Sequence, residues 1–158
     1  MDHFSLSSFT ELMQRNETAA ILKCNEYTSC YGVSLTEEDV RELAAFRKET
    51  LKSEERLELG KSILKKLIYE FCDSPYIYQA NYAETLGELQ RIFYLYKNEC
   101  MDAVSDDELL TVMKQAFDGS CEGSLENLED TVLQSFARNI RDQSPFSDAD
   151  LERRFLHD

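Results

Sequence analysis

Apolar residues recur along most of the chain at three- and four-residue intervals, the spacing that places side chains on one face of an α-helix. The main stripes are Val40, Leu43, Phe46 and Thr50 or Leu51; Leu64, Leu67, Ile68 and Phe71; Leu86, Leu89, Phe93, Tyr96 and Cys100; Leu109, Val112, Met113, Ala116 and Phe117; and Leu125, Leu128, Val132, Phe136 and Ile140. The alternation typical of strands is almost absent. The pattern predicts an all-α protein whose helices bury these stripes.

Polar residues mark where several of these helices begin. A hydroxyl side chain can cap the first turn while an acid three residues later reaches back to it. The pairs are Thr36 with Asp39, Ser105 with Glu108 and Ser147 with Asp150. Asn81 with Glu84 is a weaker pair of the same kind, in which an amide takes the place of the hydroxyl. Ser53 is also a candidate cap, with Glu54 and Glu55 in the turn behind it.

Glycine and proline mark where helices end, as at Gly32 and at the Asp73-Ser74-Pro75 turn. The predicted helices cover residues 9–31 (with an optional break near Asn16), 36–52, 54–72, 82–102, 106–118, 125–142 and 148–157. The length fits one domain over residues 1–158. We predict a single bundle of six to seven amphipathic helices with mixed or orthogonal packing.

The chain is strongly acidic, with 31 Asp and Glu against 17 Lys and Arg and a formal net charge of −14. Such a charge repels phosphate backbones and anionic lipid, so neither nucleic acid nor a membrane is the expected partner. A basic protein or a cation fits better. The alternative is that the acidic faces only keep the protein soluble.

The expected location is the cytoplasm. The first residues carry no basic patch followed by an apolar run, and no stretch is long enough to span a bilayer. The cysteines are odd in number and form no CxxC pair, so we expect buried free thiols rather than a disulfide framework or a zinc site. They are Cys24, Cys30, Cys72, Cys100 and Cys121.

No pattern of an active site is present, and we expect that the protein is not an enzyme. The only two histidines, His3 and His157, lie near the chain ends. Neither follows a glutamate by three positions, as the di-iron helical bundles require. Gly60-Lys61-Ser62 resembles the end of a phosphate-binding loop, but Glu55 stands where the first glycine is needed.

One segment has the spacing of an EF-hand calcium loop. Position one would be Asp118, position three Ser120, position five Glu122 and position twelve Glu129, with Gly123 at the turn. Oxygen ligands at these positions make calcium the one candidate cofactor. The four metal ligands would be Asp118, Ser120, Glu122 and Glu129.

The same segment has a second interpretation as a turn between two helices. Gly119 would end one helix and Ser124 would cap the next, with the acids in its first turns. Glu122 is longer than the usual fifth ligand, and no second loop is present to form the usual pair.

The link between residues 71 and 82 is rich in tyrosine. Tyrosine is enriched at binding surfaces because its ring gives contact area and its hydroxyl gives a polar group. Tyr76, Tyr78 and Tyr82 are therefore the candidate partner-binding residues. The alternative is that these rings pack over the ends of neighbouring helices.

Three segments resemble an uncharacterised family of small acidic proteins from Firmicutes-type bacteria. They are Leu59-Gly60 through Tyr76-Ile77, which contains LIYEFCDSPYI; Asp106 to Leu110; and Cys121 to Glu126. The resemblance implies a bacterial cytosolic source and a domain of unknown function. It implies no activity.

These observations favour a non-catalytic interaction protein that presents an acidic, tyrosine-bearing surface to another protein or to a second copy of itself. The alternative is a divalent-cation module that binds calcium through residues 118–129.

Overall fold

A computed structural model describes residues 6–58 and 62–143. This part of the chain is helical and contains no strand, which confirms the all-α prediction. The helices are α1 (Leu6–Lys23), α2 (Asn25–Thr28), α3 (Glu37–Ser53), α4 (Leu64–Phe71), α5 (Tyr82–Glu99), α6 (Asp106–Asp118), α7 (Leu125–Asn127) and α8 (Leu133–Gln143). Short 3-10 turns cover Ser29–Tyr31 and Gln79–Asn81, and a π-helical turn covers Leu128–Val132 between α7 and α8.

Two of the predicted caps are confirmed. The Thr36 hydroxyl accepts from the Asp39 N–H at 3.0 Å, and the Asp39 carboxylate accepts from the Thr36 N–H at 2.9 Å. The Ser105 hydroxyl accepts from the Glu108 N–H at 3.1 Å. Each cap supplies an acceptor for an otherwise unpaired N–H of the first turn, and so fixes where α3 and α6 begin. Ser147 and the predicted helix 148–157 lie outside the described residues.

The predicted helix 54–72 is wrong in its first part. Ser53 is the last residue of α3 rather than a cap, and α4 begins at Leu64. Glu55 adopts a left-handed φ of 54°. Its N–H donates to the Lys52 carbonyl at 3.2 Å, and the Arg56 N–H donates to the Leu51 carbonyl at 2.9 Å. These bonds close the end of α3 as a C-terminal cap normally does with glycine. The predicted helix 36–52 therefore ends within one residue of α3, but no helix resumes at residue 54.

Two further helix bounds differ from prediction. The first predicted helix breaks at Cys24 rather than near Asn16, and it ends at Gly32 as expected, with φ 81°. The last helix turn before residue 102 is replaced by left-handed residues Met101 and Asp102, so α5 ends at Glu99. Asn81 does not cap α5, since its side chain accepts from the Tyr78 N–H at 2.9 Å within the preceding turn.

The chain divides into two compact units, Met1–Gln90 and Arg91–Asp158, here called the N-terminal and C-terminal units. The boundary falls within α5. The single domain predicted from the length stays a prediction, as does the mixed or orthogonal packing.

Each unit buries most of the apolar residues in the predicted stripes, but the last stripe is wrong after Leu128. Val132 and Phe136 are half-buried, and Leu133 and Ala137 are buried instead, because the π-helical turn Leu128–Val132 shifts the buried face by one residue. In the N-terminal unit the fully buried side chains include Leu67, Ile68, Phe71, Leu86 and Leu89. In the C-terminal unit they include Ile92, Phe93, Leu109, Met113 and Leu133. Burial of such side chains contributes most of the favourable free energy of folding. The helices are thereby held as fixed supports for the surface groups described next.

Candidate functional site: an acidic groove in the N-terminal unit

A groove with a volume of about 490 Å³ lies between α3 and the start of α5 in the N-terminal unit. The α3 side contributes residues spaced by three and four: Asp39, Glu42, Leu43 and Phe46. The opposite side has the same spacing: Gln79, Ala80, Ala83, Glu84, Gly87 and Glu88. We call this feature the acidic groove. Its two walls are each one face of a helix.

Small and apolar side chains form the floor of the acidic groove. Gly87 allows close approach there, because a Cβ at this position would lie 3.1 Å from Cδ2 of Phe46. Ala83 and the half-buried Phe46 continue the apolar surface. A floor of this kind accepts an apolar side chain from a partner.

Carboxylates line both walls, with Asp39 and Glu42 on α3 and Glu84 and Glu88 on α5. None of the described residues that line the groove is basic. Part of the Asp39 charge is used to accept from the Thr36 N–H at 2.9 Å. The groove therefore has a negative potential that favours a cationic group.

Side-chain amides fix the loop at one end of the acidic groove. The Gln79 amide exchanges two hydrogen bonds with the backbone of Ser34, at 2.8 and 3.0 Å. The Asn25 amide does the same with Leu35, at 2.8 and 2.9 Å. The Gln79 bonds hold the segment before α3 against the turn before α5, and the Asn25 bonds hold the same segment against α2. Sequence reasoning missed them, since nothing local identifies an amide that bonds to a distant backbone.

The three predicted partner-binding tyrosines have different environments. Tyr78, next to Gln79 in the chain, is 60% exposed, and Tyr76 is half-buried. Tyr82 is only 1% exposed and belongs to the core, so the interpretation as a surface residue is wrong for its side chain. Burial raises the pKa of Tyr82 well above its usual range. Tyr78 therefore remains the best placed of the three to meet a partner.

A second group of exposed tyrosines lies elsewhere on the N-terminal unit. Ring centroids are 5.6 Å apart for Tyr27 and Tyr31 and 5.4 Å apart for Tyr27 and Tyr69. The hydrogen bond between the Tyr27 and Tyr31 hydroxyls, which are 3.3 Å apart, raises the pKa of Tyr31 to about 12. The i, i+4 spacing of Tyr27 and Tyr31 is a sequence signal for their contact, whereas the contact between Tyr27 and Tyr69 depends on the fold.

The predicted calcium ligands lie in the C-terminal unit, where two of them are held by basic side chains. The Glu129 carboxylate receives two hydrogen bonds from the Arg91 guanidinium, at 3.0 and 2.6 Å. The Asp118 carboxylate lies 3.0 Å from the Lys114 ammonium. Ser120 and Glu122 are exposed. Within residues 6–58 and 62–143, no three His, Cys, Asp or Glu side chains are grouped closely enough to hold a metal ion.

Backbone hydrogen bonds close residues 118–124 into a tight turn. The Cys121 N–H donates to the Ala116 carbonyl at 2.9 Å, and the Gly123 N–H donates to the Phe117 carbonyl at 2.8 Å. The Ser124 hydroxyl then accepts from the Asn127 N–H at 3.2 Å. This is the geometry that the helix-to-helix interpretation predicted.

Calcium binding stays a prediction that a thermal melt can test. Glu129 would have to leave Arg91 before it could ligate an ion, so we expect millimolar calcium to leave the melting temperature of the protein unchanged. A rise in melting temperature that the Glu129→Gln variant abolishes would contradict this expectation and would support the calcium site. Magnesium at the same concentration is the control for a general ionic effect.

The five cysteines form no disulfide. Four of them are buried, as predicted, but Cys30 is exposed and its thiol donates to the Tyr27 carbonyl at 2.7 Å.

Across the part of the chain that the structure describes, none of the helices has the length and apolar character needed to cross a membrane.

The comparisons with known proteins place the chain in a family. A family model described as a family of unknown function (DUF6323) matches residues 20–145. The chain belongs to DUF6323. The match covers α2 to α8 entirely, so the acidic groove lies within the DUF6323 region. No curated protein and no solved structure matches the chain.

Proposed function

We propose that this protein is a non-catalytic interaction protein whose acidic groove holds a basic, amphipathic helical segment of another protein. The observation that carries the proposal is the groove between α3 and α5, with carboxylates on both walls and an apolar floor. Binding of an amphipathic helix in a hydrophobic groove is a common mode of peptide recognition.

The floor and the walls supply different parts of the binding free energy. Apolar side chains of the partner would be removed from water against Leu43, Phe46 and Ala83. Lysine or arginine side chains on the same segment would lie near the Glu42 and Glu84 carboxylates. Neither of these acids has an ion pair among the described residues. Charges of this kind mainly increase the association rate and select the partner.

Tyr78 extends the proposed surface beyond the end of the groove. Its ring is 60% exposed and its neighbour Gln79 lines the groove. A partly exposed tyrosine at the edge of a groove offers both apolar contact and a hydroxyl for hydrogen bonding.

The net charge favours a different protein over a second copy as the partner. Two chains of charge −14 repel each other at long range, whereas a basic segment is attracted. We also propose a bacterial, cytoplasmic source for the protein, on the basis of the sequence resemblance.

The test uses a fluorescein-labelled helix-forming peptide of about 15 residues, roughly 22 Å long, with leucine on one face and lysine on the other. We expect it to bind the wild-type chain, as measured by fluorescence anisotropy. Reversing two wall charges in the Glu42→Lys/Glu84→Lys variant should weaken binding by about tenfold or more.

The matched control is the Glu26→Lys/Glu55→Lys variant. It changes the net charge of the protein equally, and neither exposed residue lines the groove. We expect it to change the dissociation constant by no more than about threefold. Equal losses in the two variants would mean that the peptide senses only net charge, and the proposal would be wrong.

Light scattering tests whether a second copy of the chain occupies the acidic groove. We expect the wild-type protein to be monomeric at micromolar concentration. A dimer that the Glu42→Lys/Glu84→Lys variant dissociates would assign the groove to self-association and would overturn the choice of a basic partner.

A further inference from the structure

A second cavity in the N-terminal unit has a volume of about 350 Å³ and does not overlap the acidic groove. It lies between α1 and α3, with Ser62, Leu64 and Gln90 closing its other sides. Its apolar lining includes Ile21 and Val40. The volume is within the range of small-molecule binding sites. We call it the Gln90 cavity.

Gln90 has an unusual hydrogen-bonding state for a buried amide. The residue is 0% exposed, and its amide nitrogen donates to the Leu43 carbonyl at 3.2 Å. Because a carbonyl can only accept, this bond fixes which end of the amide is the nitrogen. The other end, Oε1, is buried and has no hydrogen-bond partner among the described residues. A buried acceptor without a donor is costly, and such groups in folded proteins usually meet a water or a ligand.

The charges around the Gln90 cavity are the reverse of those in the acidic groove. Three basic residues, Arg41, Arg47 and Lys48, line it together with one acid, Glu17. Arg41 is paired with Glu37 at 3.1 Å, and Arg47 is paired with Glu58. Lys48 has no ion pair among the described residues. Lys48 is therefore the lining cation with which an anionic ligand can pair.

We infer that the Gln90 cavity binds a small organic anion with a compact apolar body and one N–H or O–H donor. The apolar body would contact Ile21, Val40 and Leu64, and the anionic group would lie near Lys48. The donor would satisfy Oε1 of Gln90. This inference is independent of the proposed function, since it concerns a different cavity and a ligand of opposite charge.

The probe is indole-3-acetate, which combines a flat apolar body, a carboxylate and one N–H. Two matched compounds each lack one feature: 1-methylindole-3-acetate has no donor, and 3-methylindole has no anionic group. We expect indole-3-acetate to bind in isothermal titration calorimetry and to raise the melting temperature. Each of the other two should bind at least about tenfold more weakly, since either the buried Oε1 of Gln90 or the ammonium of Lys48 loses its partner.

Two variants locate the binding site. Lys48→Gln should weaken the binding of indole-3-acetate by about three- to tenfold. Lys52→Gln is the control, because it makes the same charge change at an exposed α3 position that does not line the cavity. Ala44→Leu, at an exposed helical position on the cavity wall, should block binding without loss of the fold.

The three-compound comparison needs only the wild-type chain, so a folding defect in a variant cannot decide the outcome. Equal affinity for all three compounds would overturn the inference, because neither Gln90 nor Lys48 would then be selecting the ligand. Absence of any binding at millimolar concentration would also overturn it, and would mean that Oε1 is satisfied by water alone.

Discussion

Replacing Leu67 with alanine should lower the free energy of unfolding by about 2–5 kcal/mol, measured by urea denaturation followed by circular dichroism. Leu67 lies in the middle of α4 and is 0% exposed. The variant loses the transfer free energy of the removed methyl groups, and it leaves a cavity that the surrounding helices fill only partly.

Leu57→Ala is the matched control, because it makes the same chemical change at a residue that is 84% exposed. We expect its free energy of unfolding to stay within about 0.5 kcal/mol of the wild-type value. If the two variants were equally stable, α4 would not form part of the core of the N-terminal unit.

The Arg91→Gln variant should be less stable than the wild-type protein by about 1–2 kcal/mol at pH 7. The Arg91 and Glu129 side chains are 34% and 24% exposed, so their ion pair is only partly screened by water. Breaking a fully buried ion pair costs more stability than breaking a surface pair, and the expected loss lies between the two. The variant leaves the Glu129 carboxylate partly buried without its cation.

This pair also predicts how stability depends on pH. The hydrogen bonds from Arg91 hold the pKa of Glu129 below its usual value, although burial opposes them. A carboxyl whose pKa is lower in the folded state stabilises the protein above the pKa of the unfolded chain. That contribution should disappear as the pH falls through about 4.5 and below.

The difference in unfolding free energy between wild type and Arg91→Gln should therefore shrink between about pH 6 and pH 3. Arg138→Gln is the control, since it removes the same charge from an exposed position of α8. A difference between wild type and Arg91→Gln that did not vary with pH would mean that Arg91 acts through packing alone.

Most of the helical stripes and the caps at Thr36 and Ser105 could be predicted because both depend on residues close in sequence. Thr36 and Ser105 each cap a turn three residues away. The non-helical segment that follows α3 could not be predicted in the same way. Glu55 takes a left-handed conformation that glycine usually adopts, so neither glycine nor proline marked the segment after Ser53 as non-helical.

The groove was only partly predictable for a similar reason. The spacing of Ala80, Ala83 and Gly87 describes one face of a helix, but the sequence does not say that α3 lies opposite it. The calcium hypothesis rests on the spacing of oxygens in the sequence. What the spacing cannot show is that Arg91, from a separate helix, binds the carboxylate at position twelve. The buried state of Tyr82 likewise depends on its neighbours in space.

The exposure of one thiol among five offers a practical route for biophysical work. A maleimide dye added to the folded protein should react at Cys30, since the other four thiols are shielded from the reagent. The dye would be attached outside both cavities, because Cys30 lines neither of them. A single fluorophore could then follow partner association in single-molecule experiments without removal of any native cysteine.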